Sequence, residues 1–221
     1  MVEIKICGVM DEAIANVAIE SGATYVGIVA GAPDSPRHVN MATASGLIRF
    51  LRGKISSVLV TRVLTKEFID LAKVAKPDFV QFHEPIPKDL VDELRRVYDG
   101  RIIFGISPRS TPGSIASNIH VFGSKDMVLI DGSQGSGTCI DDHELVAVID
   151  IAKQALGLSM KDMLVAGGFS ASNVGAFLGR HAPRGVDASS GLETSPGVKD
   201  PALIKKFCIE VKKAKISCDK T

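Results

Sequence analysis

The feature that most constrains this chain is its rhythm: short apolar, β-branched runs alternate with stretches of helical periodicity along its whole length. Val2 to Cys7 (VEIKIC) is short, rich in isoleucine and valine, and reads as a strand. Seven similar runs follow, at Thr24 to Ala30, Ile55 to Val60, Asp78 to Phe82, Arg101 to Ile106, Met127 to Asp131, Met163 to Ala166 and Gly185 to Ser189. Helical patterns lie between them at Asp11 to Ser21 and Met41 to Leu51. Others run around Phe68, Ile69, Ala72 and Ala75, around Leu90, Val91, Leu94 and Val97, at Asp142 to Leu156, and at Pro201 to Ala214. Pro112 to Ile119 supports only a short helix, and Ser170 stands where it can cap the helix after the seventh strand.

Strands that alternate with helices pair in parallel. Eight such units, at about 28 residues each, fit the spacing of a (β/α)8 TIM barrel. The alternative is an open doubly wound sheet. That fold would carry a Gly-rich fingerprint in the first strand-to-helix turn, which is missing here, and Gly135 to Ile140 (GSGTCI) lacks the third glycine. No Pro-, Gly- or Ser-rich linker divides the sequence. The expectation is one α/β barrel domain over residues 1–221.

Charge removes several classes of partner. The 26 basic and 25 acidic residues leave a formal net charge of +1, so no broad field draws the protein to nucleic acid or an anionic membrane. Aromatics make up 5% of residues and tryptophan is absent, which leaves little to stack on bases. No apolar run is long enough to span a bilayer. Glu3 and Lys5 interrupt the first apolar stretch, which argues against a signal peptide. The four cysteines, Cys7, Cys139, Cys208 and Cys218, form no CxxC pair and read as free thiols in a reducing, cytoplasmic setting.

In a parallel barrel the chemistry lies where the strands end. Strand one ends on Cys7, strand four on His83 and strand six on Asp131. Strand seven runs into Gly167 and Gly168, and strand eight ends on Asp187, followed by Ser189, Ser190 and Gly191. Arg37 follows strand two in a Ser35-Pro36-Arg37 loop. Taken singly each has a plain structural use: a small core thiol, a turn-capping carboxylate, a surface cation, a tight turn. Together they converge on one rim. A thiolate can take a carbon-bound proton and a carboxylic acid can deliver one. The glycine turns after the last two strands, with a helix start beyond, form a place for phosphate. Isomerisation of a phosphorylated sugar, with no metal and no cofactor, suits that set.

Several motifs carry a family resemblance. Lys5-Ile6-Cys7-Gly8, Ser35-Pro36-Arg37, Gln81-Phe82-His83, Val165-Ala166-Gly167-Gly168 and Val186 to Glu193 (VDASSGLE), followed by Pro196-Gly197 and Lys199-Asp200, resemble phosphoribosylanthranilate isomerases from residue 2 to about 211. The resemblance implies an Amadori rearrangement in tryptophan biosynthesis, catalysed by an aldose–ketose isomerase, an intramolecular oxidoreductase. It implies Cys7 as general base and Asp131 as general acid. Arg37 would hold the anthranilate carboxylate, and Asp187 and His83 would lie against the substrate. Gly167, Gly168, Ser189, Ser190 and Gly191 would bind phosphate. The expected partner is a small phosphorylated molecule, with the protein a monomer or homodimer. The segment after strand six departs from the family pattern, reading Gln134-Gly135-Ser136-Gly137 and then Ile140-Asp141-Asp142, and Glu84 stands where glycine is usual. Other phosphosugar barrels remain as alternatives, of the epimerase or indole-glycerol-phosphate synthase type, as does a non-catalytic phosphate-binding barrel.

Overall fold

The computed structural model describes residues 1–83, 87–107, 123, 125–132 and 142–214. Eight parallel strands close into a barrel in sequence order. They are β1 (Glu3–Cys7), β2 (Tyr25–Val29), β3 (Ser56–Val60), β4 (Phe79–His83), β5 (Arg101–Ile106), β6 (Met127–Asp131), β7 (Met163–Ala166) and β8 (Gly185–Ala188). β8 returns to β1, with Lys5 opposite Asp187. The helices among the described residues are α1 (Glu12–Glu20), α2 (Met41–Leu51), α3 (Lys66–Ala75), α4 (Lys88–Val97), α5 (Asp142–Leu156), α6 (Val174–Arg180) and α7 (Pro201–Lys213). The short helix expected over Pro112 to Ile119 lies outside the described residues, as do Cys139, Cys218, Glu84 and the segment after β6.

Alternation along the strands sorts the core into two layers. Outward residues such as Ile4, Ile6, Val26, Ile28, Val128 and Ile130 pack beneath the helices. Inward residues such as Tyr25, Val58, Phe79, Ile103, Leu129 and Leu164 fill the barrel. The helices begin where the sequence supplies caps. Asp11 accepts from the Ile14 N–H at 2.8 Å, Asn40 from Thr43 at 2.9 Å, and Asp200 from Ala202 at 2.7 Å, with Pro201 in the first turn of α7.

Ser170 behaves differently from its expected role. Its Oγ accepts from the Ser172 N–H at 3.3 Å, and its carbonyl accepts from Val174 at 3.1 Å. The intervening residues form a hydrogen-bonded turn, so α6 starts only at Val174. After β8 a 3-10 turn (Ser190–Leu192) leads into a two-stranded antiparallel hairpin, β9 (Glu193–Ser195) and β10 (Val198–Lys199). That hairpin escaped the sequence reading because its strands are too short to show a period.

The two ends of the barrel differ in chemistry. At the N-terminal end, the Tyr25 hydroxyl donates to Glu3 at 2.6 Å, Arg184 Nε donates to the same carboxylate at 2.8 Å, and Arg101 lies over the Phe79 ring. Burial, with Glu3 beside it, pushes the Tyr25 phenol well above its ordinary value. This closed network is a stabilising floor, as expected at that face. No helix among the described residues is long and apolar enough to cross a membrane.

Candidate active site

The site residues reach the barrel interior by strand alternation. On β1, Lys5 and Cys7 share the inner side, and Cys7 packs against the inner apolar layer. β2 makes room for the thiol. A Cβ built on Gly27, the register partner of Cys7, would lie 2.8 Å from Sγ. On β6, Asp131 continues the inward series of Met127 and Leu129 and sits in register with Ala166. On β4, His83 continues the series of Phe79 and Gln81, and its ring lies over Gly105 of β5, where a Cβ would meet Nδ1 at 2.3 Å.

Electrostatics ties these groups together. The Lys5 ammonium is fully buried and donates to Asp187 Oδ2 at 2.6 Å. Burial alone would lower the lysine, but the charges of Asp187 and Cys7 outweigh it and hold it above its ordinary value. Burial pushes the Asp187 carboxyl up, against the pull of Lys5, with the charge of Asp131 adding to the rise. Burial likewise pushes the Cys7 thiol up, while Lys5 and Lys199 pull it back. Burial lowers His83 against the opposing pull of Asp131 and so favours a neutral ring. Its Nε2 lies 3.3 Å from the Gln81 amide nitrogen.

Arg37 is not a lone cation. Its Nε and Nη2 donate to the two Glu193 oxygens at 2.7 and 2.8 Å, so one edge of the guanidinium fork is committed to the hairpin after β8. The buried Lys199 ammonium donates to the same Glu193 and reaches Ser189 Oγ at 3.3 Å. Ser189 Oγ in turn donates to the Cys7 carbonyl at 3.0 Å. Gly8 carries a positive φ of 76°, and a Cβ there would sit 2.6 Å from Arg37 Cδ. The cluster holds two cations against one carboxylate, and three guanidinium N–H groups point away from Glu193.

The two glycine turns touch. A Cβ on Gly191 would lie 2.1 Å from the Phe169 carbonyl, so the loops after β7 and β8 pack backbone to backbone. Asn173 braces the first loop, donating from Nδ2 to the Gly168 carbonyl at 2.9 Å and accepting from the Ser170 N–H at 2.8 Å. Because α6 begins at Val174, the backbone of these turns, rather than the helix end, borders the rim.

The ten residues singled out in the sequence therefore all lie on or just below the C-terminal rim. Asp187 is the deepest, within β8 rather than at its end, because it pairs across the register with Lys5. Sequence reasoning assigned no role to Lys5, Gln81, Asn173, Glu193 or Lys199. A lysine inside a buried strand was the one legible signal among them. Asp187 Oδ1 and Gln81 Oε1 are buried acceptors with no hydrogen-bond donor among the described residues, an arrangement that calls for an explanation. Among those residues no group of three or more His, Cys, Asp or Glu could hold a metal ion.

Comparison with known proteins places this arrangement in a wider set. The sequence profile of N-(5'-phosphoribosyl)anthranilate (PRA) isomerases matches residues 4–210. An N-(5'-phosphoribosyl)anthranilate isomerase of Mesorhizobium japonicum is 34% identical, with 96% of each chain covered. One from Chelativorans sp. is 32% identical over 96% of this chain and 97% of its own. The crystal structure of TrpF from Jonesia denitrificans superposes with a TM-score of 0.77 at 27% identity, covering all of both chains. A phosphoribosyl anthranilate isomerase in complex with reduced 1-(o-carboxyphenylamino)-1-deoxyribulose 5-phosphate gives a TM-score of 0.74 at 25% identity, covering 96% of this chain and 99% of that one.

Proposed function

Because the chain belongs to the N-(5'-phosphoribosyl)anthranilate isomerase family, we infer that it converts N-(5'-phosphoribosyl)anthranilate to 1-(2-carboxyphenylamino)-1-deoxyribulose 5-phosphate, the Amadori step of tryptophan biosynthesis. The observation that carries this reading is the facing of Cys7 and Asp131 into one barrel mouth, linked through Asp187. Asp187 feels the charge of Asp131 and in turn acts on the Cys7 thiol. A base and an acid on either side of a small sugar are what an aldose–ketose isomerisation needs.

In this reading Asp131, as the acid, protonates the furanose ring oxygen, and the C1′–O bond breaks to leave a Schiff base. The Cys7 thiolate takes the C2′ proton, and the C–H electron pair passes into an enolamine that tautomerises to the ketone. The proton gained by Cys7 and the one given by Asp131 are then exchanged with solvent, so the reaction is a net isomerisation, an intramolecular oxidoreduction. The three guanidinium N–H groups of Arg37 that Glu193 leaves open hold the anthranilate carboxylate. Substrate hydroxyls donate to Asp187 Oδ1 and Gln81 Oε1, which lack donors among the described residues. His83, neutral and held by Gln81, lines the same wall. The thiol base suits a reducing compartment, and we place the enzyme in the cytoplasm.

The test is direct. Purified protein without added metal should abolish the fluorescence of N-(5'-phosphoribosyl)anthranilate at a rate proportional to enzyme. No acceleration over buffer would overturn the assignment.

Phosphate lies between the turns after β7 and β8, held by backbone N–H groups of Gly167 and Gly168 and of the segment Ser189 to Gly191. The leading N–H groups of a 3-10 turn have no partner within it. Gly168 has a positive φ of 57°, which valine adopts only under strain, and a branched side chain there would also crowd the anion. Losing one charge-assisted hydrogen bond, about 1.5–3 kcal/mol, corresponds to a KM increase of about tenfold or more. Gly168→Val should therefore raise KM by that amount at little cost in kcat, measured by steady-state kinetics. An unchanged KM in the folded variant would move the phosphate elsewhere on the rim.

A further inference from the structure

Cys7 shares the barrel interior with a buried charge to which the mechanism above gives no task. Lys5 stands two residues before it on the same inner side of β1, with none of its surface exposed. Its ammonium is gripped by Asp187, its register partner on β8. Burying an ion pair is seldom the stable choice, because well-packed apolar residues of similar volume often do as well or better. The neighbouring interior positions Val58, Ile103 and Leu164 are filled in that apolar way. A lysine retained at this depth therefore calls for a reason beyond packing, and the thiol is close enough for their charges to interact.

We propose that Lys5 is a positioning residue for the isomerisation: held by Asp187 on the floor of the site, its ammonium is the counter-charge that stabilises Cys7 as the thiolate which takes the substrate's carbon-bound proton. The inference rests on the reading of Cys7 as the base. The charged groups acting on the thiol are Lys5 from β1, Asp187 from β8, Lys199 from β10 and Arg37 from the loop after β2. Arg37 and Lys199 share the Glu193 carboxylate, which offsets part of their field. Burial drives the thiol up, and Lys5 is the strongest influence against it, ahead of both Asp187, which acts the other way, and Lys199. Asp187 does a second job, because a lysine this deep stays charged only with an anion beside it.

The thiolate is the form that reacts with alkylating agents. Iodoacetamide labelling of the intact protein across pH, mapped to each cysteine by mass spectrometry, reads its formation without reference to turnover. In Lys5→Met the pH midpoint for Cys7 should rise by at least about one pH unit, and labelling near neutral pH should fall about tenfold or more. Cys208 is the internal control. It sits on the buried face of α7, with its thiol pushed up to about 11 by burial, and it lies away from Lys5. Loosening of the barrel would raise the reactivity of both thiols, whereas loss of the counter-charge lowers that of Cys7 alone.

If Lys5→Met leaves Asp187 unpaired and fails to fold, the double replacement Lys5→Met/Asp187→Leu removes both charges; because Lys5 outweighs Asp187 at the thiol, the Cys7 midpoint should still rise, by less than in the single variant. A Cys7 midpoint that stays put or falls in either folded variant overturns the proposal. The two readings fail separately. Wild-type protein without isomerase activity would sink the functional assignment and leave the labelling shift standing. A thiol indifferent to Lys5 in an active isomerase would sink this inference alone.

Discussion

Cys7→Ser should fold as the wild type does and lose isomerase kcat by roughly a hundredfold or more, the scale of a lost general base. Serine is smaller than cysteine, so the close approach to Gly27, where a Cβ would come within 2.8 Å of Sγ, poses no obstacle. What changes is ionisation. Burial raises the Cys7 thiol, but Lys5 and Lys199 pull it back toward the range where some thiolate exists. A hydroxyl starts far too high for the same neighbours to ionise it. The sign of the pH dependence follows. Thiolate forms as pH rises through the thiol's value in the folded protein, so wild-type kcat/KM should climb on the alkaline side of neutrality. Cys7→Ser should lack that limb. An unchanged far-UV circular dichroism spectrum beside the activity loss separates chemistry from folding. Near-wild-type turnover in the serine variant would show that the base lies elsewhere.

Asp131→Asn should cost a similar factor, roughly a hundredfold or more in kcat, for a different reason. The amide preserves the size of the side chain at the end of β6, in register with Ala166, so the barrel has no cause to shift. It cannot deliver a carboxylic proton to the ring oxygen, and ring opening becomes the slow step. Substrate contacts through Arg37 and the phosphate turns are untouched, so KM should move far less than kcat. A variant that keeps kcat but loses affinity would recast Asp131 as a binding residue. Paired with Cys7→Ser, the double variant should lose less than the product of the two single losses, because neither group completes the rearrangement without the other.

Much of the architecture was legible because it is local. Met41–Leu51, Arg101–Ile106, Met127–Asp131, Asp142–Leu156 and Met163–Ala166 have the bounds that their apolar runs imply. Other elements begin or end a residue away from the sequence reading, within the usual fraying of termini. Ser170 shows the limit of such reasoning. The residue has the chemistry of a cap, yet a turn closed by its own carbonyl and braced by Asn173 delays the helix to Val174. The catalytic candidates were equally legible, since Cys7, His83 and Asp131 are the residues on which three strands end.

The charge pairs were not legible, and the reason is distance along the chain. Lys5 and Asp187 lie 182 residues apart, and Arg37 and Glu193 lie 156 apart. Nothing in either neighbourhood names the partner. From the residues alone follow the repeating strand and helix, the closed parallel barrel they imply, and the groups each strand presents at its end. All of these depend on hydrophobic periodicity and turn chemistry within a few residues. Only closure of β8 onto β1, with the hairpin folded back over Arg37, decided which buried charges meet. Ion pairing depends on separation in space, and that separation is set by strand register around the whole barrel.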